Sequence, residues 1–388
     1  MNSNQNGSGH HLRGTSPIVK RESAGFNAEG FIEQSIANHH EVVRRAARRH
    51  ADQMENAEFS PVLSHIDTSL HDDLALAVQD PGWTVESIAR PGHIGTLPSL
   101  RKTGKTTFLG NLAWCGLDGL PFLGRFDCVL DGNIAAINAE MTRDDYLWTY
   151  RNLDIINDDR LFIIHCLDEG IRLNLLNDVT CERFIMWLRA REAEWVFIDP
   201  WKNMLSWAGV DMNDNKGAND LLVRIQQIRS EAGLNLIIIP MNTPQSGEER
   251  AKGAGEVEDS ADVLWRYTLV DNDDPSSMRS LSCIGRGGVS MSEVVIDWDH
   301  NTQRLLAVDG SSSDIKLESR ARTAAEALEL HLIKIGRDSV NTGTFDSIIK
   351  YGDSREKAAI RSKAEELGLV KRAHAEKGRE VFWGIPDS

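Results

Sequence analysis

Gly95-Thr96-Leu97-Pro98-Ser99-Leu100-Arg101-Lys102-Thr103-Gly104-Lys105-Thr106-Thr107 decides how the rest of this 388-residue chain is read. Apolar residues lead into it, and an apolar-faced helix is predicted to lead out over 106–116. A strand, a loop ending in Gly-Lys-Thr and a helix together form the context of a phosphate-binding loop. Backbone N–H groups of such a loop and of the helix N-terminus point at an anion. Ser99, Leu100, Arg101, Lys102, Thr103, Gly104, Lys105, Thr106 and Thr107 are therefore assigned to ATP. The Lys105 ammonium would reach the β- and γ-phosphates, and the Thr106 hydroxyl would ligate Mg²⁺. Ser99 stands five residues before Gly104, where such loops usually carry glycine. Serine disfavours positive φ, so a differently shaped loop entrance is expected.

Outward from the loop, short apolar segments alternate with helical ones. Strands are expected at 93–97, 133–138, 161–165, 195–198 and 234–239, and helices at 106–116, 143–152, 179–191 and 219–232. That alternation specifies an α/β fold, a parallel sheet flanked by helices. Two later strands, 280–284 and 294–297, read as a hairpin extending the sheet.

Three of these strands end in polar groups suited to triphosphate chemistry. Ile134-Ala135-Ala136-Ile137-Asn138-Ala139-Glu140 is read as the strand next to the loop, its Glu140 able to polarise a water. Glu194-Trp195-Val196-Phe197-Ile198-Asp199-Pro200 carries Asp199 to the place where a carboxylate holds Mg²⁺ beside Thr106. A third strand ends in Met241-Asn242-Thr243, and Asn242 is the candidate contact to the γ-phosphate. The plain alternatives are a helix cap for Glu140 and turn residues for Asp199 and Asn242.

Composition narrows the setting. A net charge of −15 argues against a surface that coats nucleic acid everywhere, but allows a local basic patch or pore. No apolar run is long enough to span a membrane and the N-terminus is polar, so a cytoplasmic chain with no membrane partner is expected. The five cysteines form no CxxC pair and are expected to be reduced and buried. Residues 1–25 are expected to be disordered, and 26–80 to form a helical segment bearing Arg44, Arg45, Arg48 and Arg49 on one face. The core is expected over 81–309. A Gly-Ser-Ser-Ser-Asp linker follows over 310–320, then a domain over 321–388 with three helices and a hairpin, the make-up of a winged helix. From Lys316 onward there are 14 Lys and Arg against 12 Asp and Glu, a tail near +2. Arg355, Lys357, Arg361 and Lys363 lie on its third helix, and Lys371, Arg372, Lys377 and Arg379 in its hairpin. They suit phosphate contact, with protein contact as the alternative.

The motifs in this order resemble the RepA-like hexameric helicase ATPases of the RecA/DnaB superfamily. The resemblance is carried by the phosphate loop and by Gly119-Leu120-Pro121-Phe122-Leu123-Gly124-Arg125-Phe126. Further matches are Asn138-Ala139-Glu140-Met141, Ile198-Asp199-Pro200, Arg250-Ala251-Lys252-Gly253-Ala254, the stretch from Glu258 to Trp265, and Gly285-Arg286-Gly287-Gly288. It implies a RecA-like core, ATP and Mg²⁺ as ligands, Glu140 as the catalytic glutamate and a homo-hexameric ring. Single-stranded DNA would run in the channel, with duplex at the winged helix. It also implies that Arg286 is an arginine finger reaching a neighbour's γ-phosphate, with surface ion pairs as the alternative for Arg286, Arg250 and Lys252. The loops 202–216 and 244–255, with Lys202, Lys216, Arg250 and Lys252, would face the channel, where Trp201 and Trp207 either stack on bases or pack internally. Where this chain has Met241-Asn242 the family often has histidine.

Overall fold

The computed structural model describes residues 69, 80–243, 260–350, 352–374 and 381–386. The expectations for residues 1–25, for nearly all of 26–80 and for Arg250, Lys252, Lys377 and Arg379 lie outside the described residues.

In chain order the elements are β1 (His93–Ser99), α1 (Lys105–Asp118), β2 (Asn133–Asn138), α2 (Arg143–Trp148), β3 (Leu161–His165), α3 (Cys166–Glu169), α4 (Asp178–Arg189), β4 (Ala193–Asp199) and α5 (Trp201–Trp207). Then come α6 (Asn215–Ala232), β5 (Leu236–Asn242), β6 (Val263–Leu269), β7 (Arg279–Gly285), β8 (Ser290–Trp298) and β9 (Leu305–Val308). The tail holds α7 (Ser312–Ile335), β10 (Ser339–Asn341), α8 (Thr342–Ile348), α9 (Ser354–Glu366), β11 (Lys371–His374) and β12 (Val381–Gly384).

The sheet runs β3-β2-β4-β5-β1-β6-β7-β8-β9. The six strands from β3 to β6 are parallel, and β7, β8 and β9 continue it antiparallel. This is a RecA-like α/β arrangement. Strand side chains alternate between faces with a period of two. Ile134, Ala136, Trp195 and Phe197 accordingly join Phe108 and Leu109 of α1 in one core, while Ala135, Ile137, Val196 and Ile198 join Leu188 of α4 and Leu221 of α6 in the other. Both faces are thus covered, which is why these strands read as continuous apolar runs. Each large side chain buried here, such as Trp195 or Phe197, contributes roughly 2–3 kcal/mol. Helix α1 lies close on β4, since a Cβ at Gly116 would sit 2.6 Å from the Trp195 ring.

Two expectations about loops are corrected. The stretch 202–216 is not an open loop: α5 buries Trp201, Met204 and Leu205 at helical spacing, and Asp214 caps α6. Trp201 is a core residue and cannot stack on bases, while Trp207 packs partly buried against the same core. The flexible stretch expected over 310–320 is largely helix, because the Ser311 side chain accepts the Asp314 N–H and starts α7 at Ser312. In the tail, Asn341 caps α8, and Asp353 with Glu356 forms a capping box on α9. The small antiparallel sheet β10-β12-β11 closes over Leu328, Phe345, Ile360 and Trp383.

Candidate active site

Parallel strands bring their C-terminal ends to one edge, where ligands of open α/β sheets bind. β1 ends at Ser99 and passes directly into the loop that caps α1. Ser99 is buried extended backbone, paired in register with Asn242. It does not take positive φ, in keeping with what serine disfavours. The left-handed residues are instead Lys102 (φ 64°) and Gly104 (φ 101°). Within the loop, the Thr103 hydroxyl donates to the Leu100 carbonyl at 2.8 Å, while Arg101 and Lys102 face solvent. Thr107 is buried beneath.

No side chain caps α1 and its first turn holds no acidic residue. Its leading N–H groups therefore suit an anion rather than an internal carboxylate. Lys105 Nζ donates to the Leu100 carbonyl at 3.1 Å and to Asn242 Oδ1 at 2.8 Å. Burial lowers its pKa, while the charges of Asp199 and Glu140 pull it back up. The Thr106 hydroxyl donates to Asp199 Oδ2 at 2.9 Å. Asp199 is 8% exposed, and burial pushes its carboxyl up to about 6 against the Thr106 bond and the Lys105 charge. A hydroxyl and a carboxylate are hard oxygen donors of the kind Mg²⁺ takes alongside phosphate oxygens. Among the described residues no group of three His, Cys, Asp or Glu could hold a metal by itself.

β2 is not beside β1, as the sequence suggested, because β4 and β5 lie between them. The turn after β2 nevertheless reaches the site, with Met141 Sδ 3.9 Å from the Thr106 hydroxyl. Glu140 is exposed on that turn, and its charge is felt by both Lys105 and Asp199. Asn138 clamps the turn, accepting from Met141 N–H at 3.0 Å and donating to the Met141 carbonyl at 2.8 Å. Its amide also meets His165 Nδ1 at 3.2 Å, and Asn203 donates to the Ala139 carbonyl. These three were missed in the sequence, where only the Asn-Ala-Glu spelling of Asn138 carried any signal.

Arg286 lies elsewhere. Gly285 pairs with Val263, which pairs with Gly95, so Arg286 sits at the N-terminal end of β1. The 7 residues of β1 at ~3.3 Å each separate it from the phosphate loop by about 20 Å. It is 63% exposed and pairs with Asp262 at 3.2 Å, so it cannot serve the nucleotide of its own chain.

The basic residues of α9 are largely engaged within the tail. Arg361 pairs with Asp346, Lys357 donates to the Asp346 carbonyl at 2.7 Å, and Lys363 pairs with Glu366 at 2.8 Å. The four thiols of Cys115, Cys166, Cys181 and Cys283 are buried and reduced, while Cys128 is half-buried, also reduced. No helix among the described residues is long and apolar enough to cross a membrane.

The family model for an AAA domain matches residues 60–240. No curated protein matches. Among solved structures, the chain is similar to a KaiC-like protein of the hyperthermophilic archaeon Pyrococcus horikoshii, at 14% identity and a TM-score of 0.44, over 60% of this chain and 98% of that one. Residues 60–240 are thus similar to an AAA domain, and the chain is a P-loop NTPase that binds and hydrolyses ATP.

Proposed function

We propose that this chain is a ring-forming, ATP-driven translocase on DNA of the type used in plasmid or phage replication. The observation that carries the ring is the position of Arg286, exposed and about 20 Å from its own phosphate loop by the length of β1. An arginine there takes part in hydrolysis only in trans, at the nucleotide of a neighbouring copy. The DNA substrate is supported by the motif resemblance and by the three-helix, three-stranded tail, read as a winged helix.

In the proposed cycle, Glu140 orients a water for in-line attack on the γ-phosphate and takes its proton. Lys105 and the neighbour's Arg286 take up the charge developing on the phosphoryl oxygens. Mg²⁺, held by Thr106 and Asp199, supplies further charge neutralisation when bound. Asn242, bonded to Lys105, responds to loss of the γ-phosphate and passes the change toward the chain that follows β5.

A second reading is a non-translocating ATPase whose oligomer switches state on DNA. It is favoured by the internal pairing of Arg361, Lys357 and Lys363, which withdraws basic groups from a groove-reading helix. Strand displacement on a forked DNA, together with light scattering with and without ATP and single-stranded DNA, separates the two. ATP-dependent unwinding by an oligomer supports the translocase. ATP hydrolysis without unwinding supports the switch, and a monomer under every condition removes both.

A further inference from the structure

We propose that Arg279 is a positioning residue of the nucleotide site, setting the phosphate loop through the Thr103 carbonyl and linking that loop to the tail helix α7. Arg279 opens β7 and is 2% exposed. No described carboxylate forms an ion pair with it. Its guanidinium instead donates to three backbone carbonyls, those of Thr103 (3.3 Å), Ser277 and Pro275 (3.3 Å). It also lies 4.6 Å from the centre of the Trp298 ring. That ring backs the next loop residue, since a Cβ at Gly104 would lie 3.1 Å from it. Burial disfavours its charge, which the more distant carboxylates of Asp274 and Asp297 offset in part, so the three carbonyls are its direct partners.

The effect of Arg279 on the loop follows from peptide geometry. In a planar trans peptide the C=O and the following N–H point in opposite directions. Holding the Thr103 carbonyl on the Arg279 side therefore aims the Gly104 N–H the other way, off the sheet-facing side of the loop. Gly104, with φ 101°, has no side chain to restrain this plane by itself. Arg279 supplies the restraint from a strand 176 residues away in the chain.

The other end of the same segment is held by the tail. Arg320 on α7, its side chain 10% exposed, grips Asp271 with Nε at 2.5 Å and Nη2 at 2.8 Å, and Asp273 at 2.9 Å. Asp271 N–H donates to Ser277 Oγ at 2.9 Å, and the Ser277 carbonyl accepts from Arg279. Tail helix, turn and phosphate loop thus form one continuous run of hydrogen bonds. If the tail's grip sets Arg279, then tail docking and ATP affinity are linked in both directions.

The test measures ATP affinity by calorimetry, and KM and kcat, in full-length Arg279→Lys, Arg320→Gln and Asp273→Asn chains whose folding is checked by circular dichroism. Lysine keeps the charge but loses the fork that spans three carbonyls. Arg279→Lys is expected to weaken ATP binding and raise KM about 10-fold, the order of one lost charge-assisted hydrogen bond, with a smaller fall in kcat. Arg320→Gln is expected to weaken ATP binding about 3-fold from outside the site, and to add nothing in the Arg279→Lys background. Asp273→Asn removes only the exposed arm of the grip and replaces Arg320→Gln if that variant loses the tail fold. A folded Arg279→Lys chain with wild-type ATP affinity and KM overturns the proposal. Unchanged affinity in folded Arg320→Gln and Asp273→Asn chains, with Arg279→Lys weakened, overturns the link to the tail.

Discussion

Replacing Asp199 by asparagine should stabilise the ligand-free chain at neutral pH while abolishing its response to Mg²⁺-ATP. Burial raises the Asp199 carboxyl from 3.8 to about 6. At about 1.4 kcal/mol per pH unit, the charged form costs the fold about 3 kcal/mol at pH 7. The sign follows from proton binding. Between the two values the native chain holds a proton that the unfolded chain releases, so stability falls as pH rises through that window and the full cost is present above about 6. Asparagine removes the charge and keeps an acceptor for the Thr106 hydroxyl, but its own amide hydrogens need partners, an offset of about 1–2 kcal/mol. The net gain is about 1–2 kcal/mol, or roughly 2–6 °C in melting midpoint for a domain of this size. The assay is thermal unfolding in EDTA without nucleotide at pH 7 and pH 5, then with Mg²⁺ and ATP. Asp199→Asn should melt higher than wild type at pH 7, with the gap closing at pH 5 as the wild-type carboxyl protonates. Ligand should raise the wild-type midpoint and leave the variant nearly unmoved. A variant that melts lower at pH 7 in EDTA, and responds to Mg²⁺-ATP as wild type does, refutes the reasoning.

Three further outcomes are expected. Gly104→Ala, at φ 101° and against the Trp298 ring, should cost about 1–2 kcal/mol in strain and weaken ATP binding in calorimetry more than it lowers the melting midpoint of the whole chain. Arg286→Ala chains, mixed with Lys105→Ala chains that cannot bind nucleotide, should regain turnover above either variant alone, because each Lys105→Ala chain lends its Arg286 to a neighbour's intact phosphate loop. A mixture no more active than the sum of the two variants measured separately would count against a finger in trans. For the tail latch, the Arg320 guanidinium holds the Asp271 carboxyl below its ordinary range. Its stabilisation is therefore complete above about pH 4 and lost as pH falls further. The melting difference between wild type and Asp271→Asn should be constant from pH 7 to 5 and shrink below 4.

The phosphate loop, the parallel strands and the two acidic strand ends were legible because each is local: a short apolar run followed by a small set of polar groups. Asn133–Asn138 and Leu161–His165 fall where the apolar pattern predicts them. The helix α5 was hidden because its seven residues are followed by a run of Gly, Asp and Asn that reads as loop. The start of α7 was hidden in the same way, since Ser311 to Asp314 spells both a flexible linker and a helix cap. Strand order was not legible at all, which is why β2 was expected beside β1. The grip of Arg279 on Thr103 joins positions far apart in the chain, and nothing in the spacing of either residue announces it. Likewise Arg361 reads as a basic helix residue until the fold turns it toward Asp346.

The most direct test of the site is steady-state ATP hydrolysis by wild type and Glu140→Gln, measured beside ATP affinity on the same samples. Retained affinity with turnover reduced about 100-fold or more is the predicted result, the scale of a lost general base. Equal turnover in the two chains, or a folded wild type without affinity for ATP, contradicts the account.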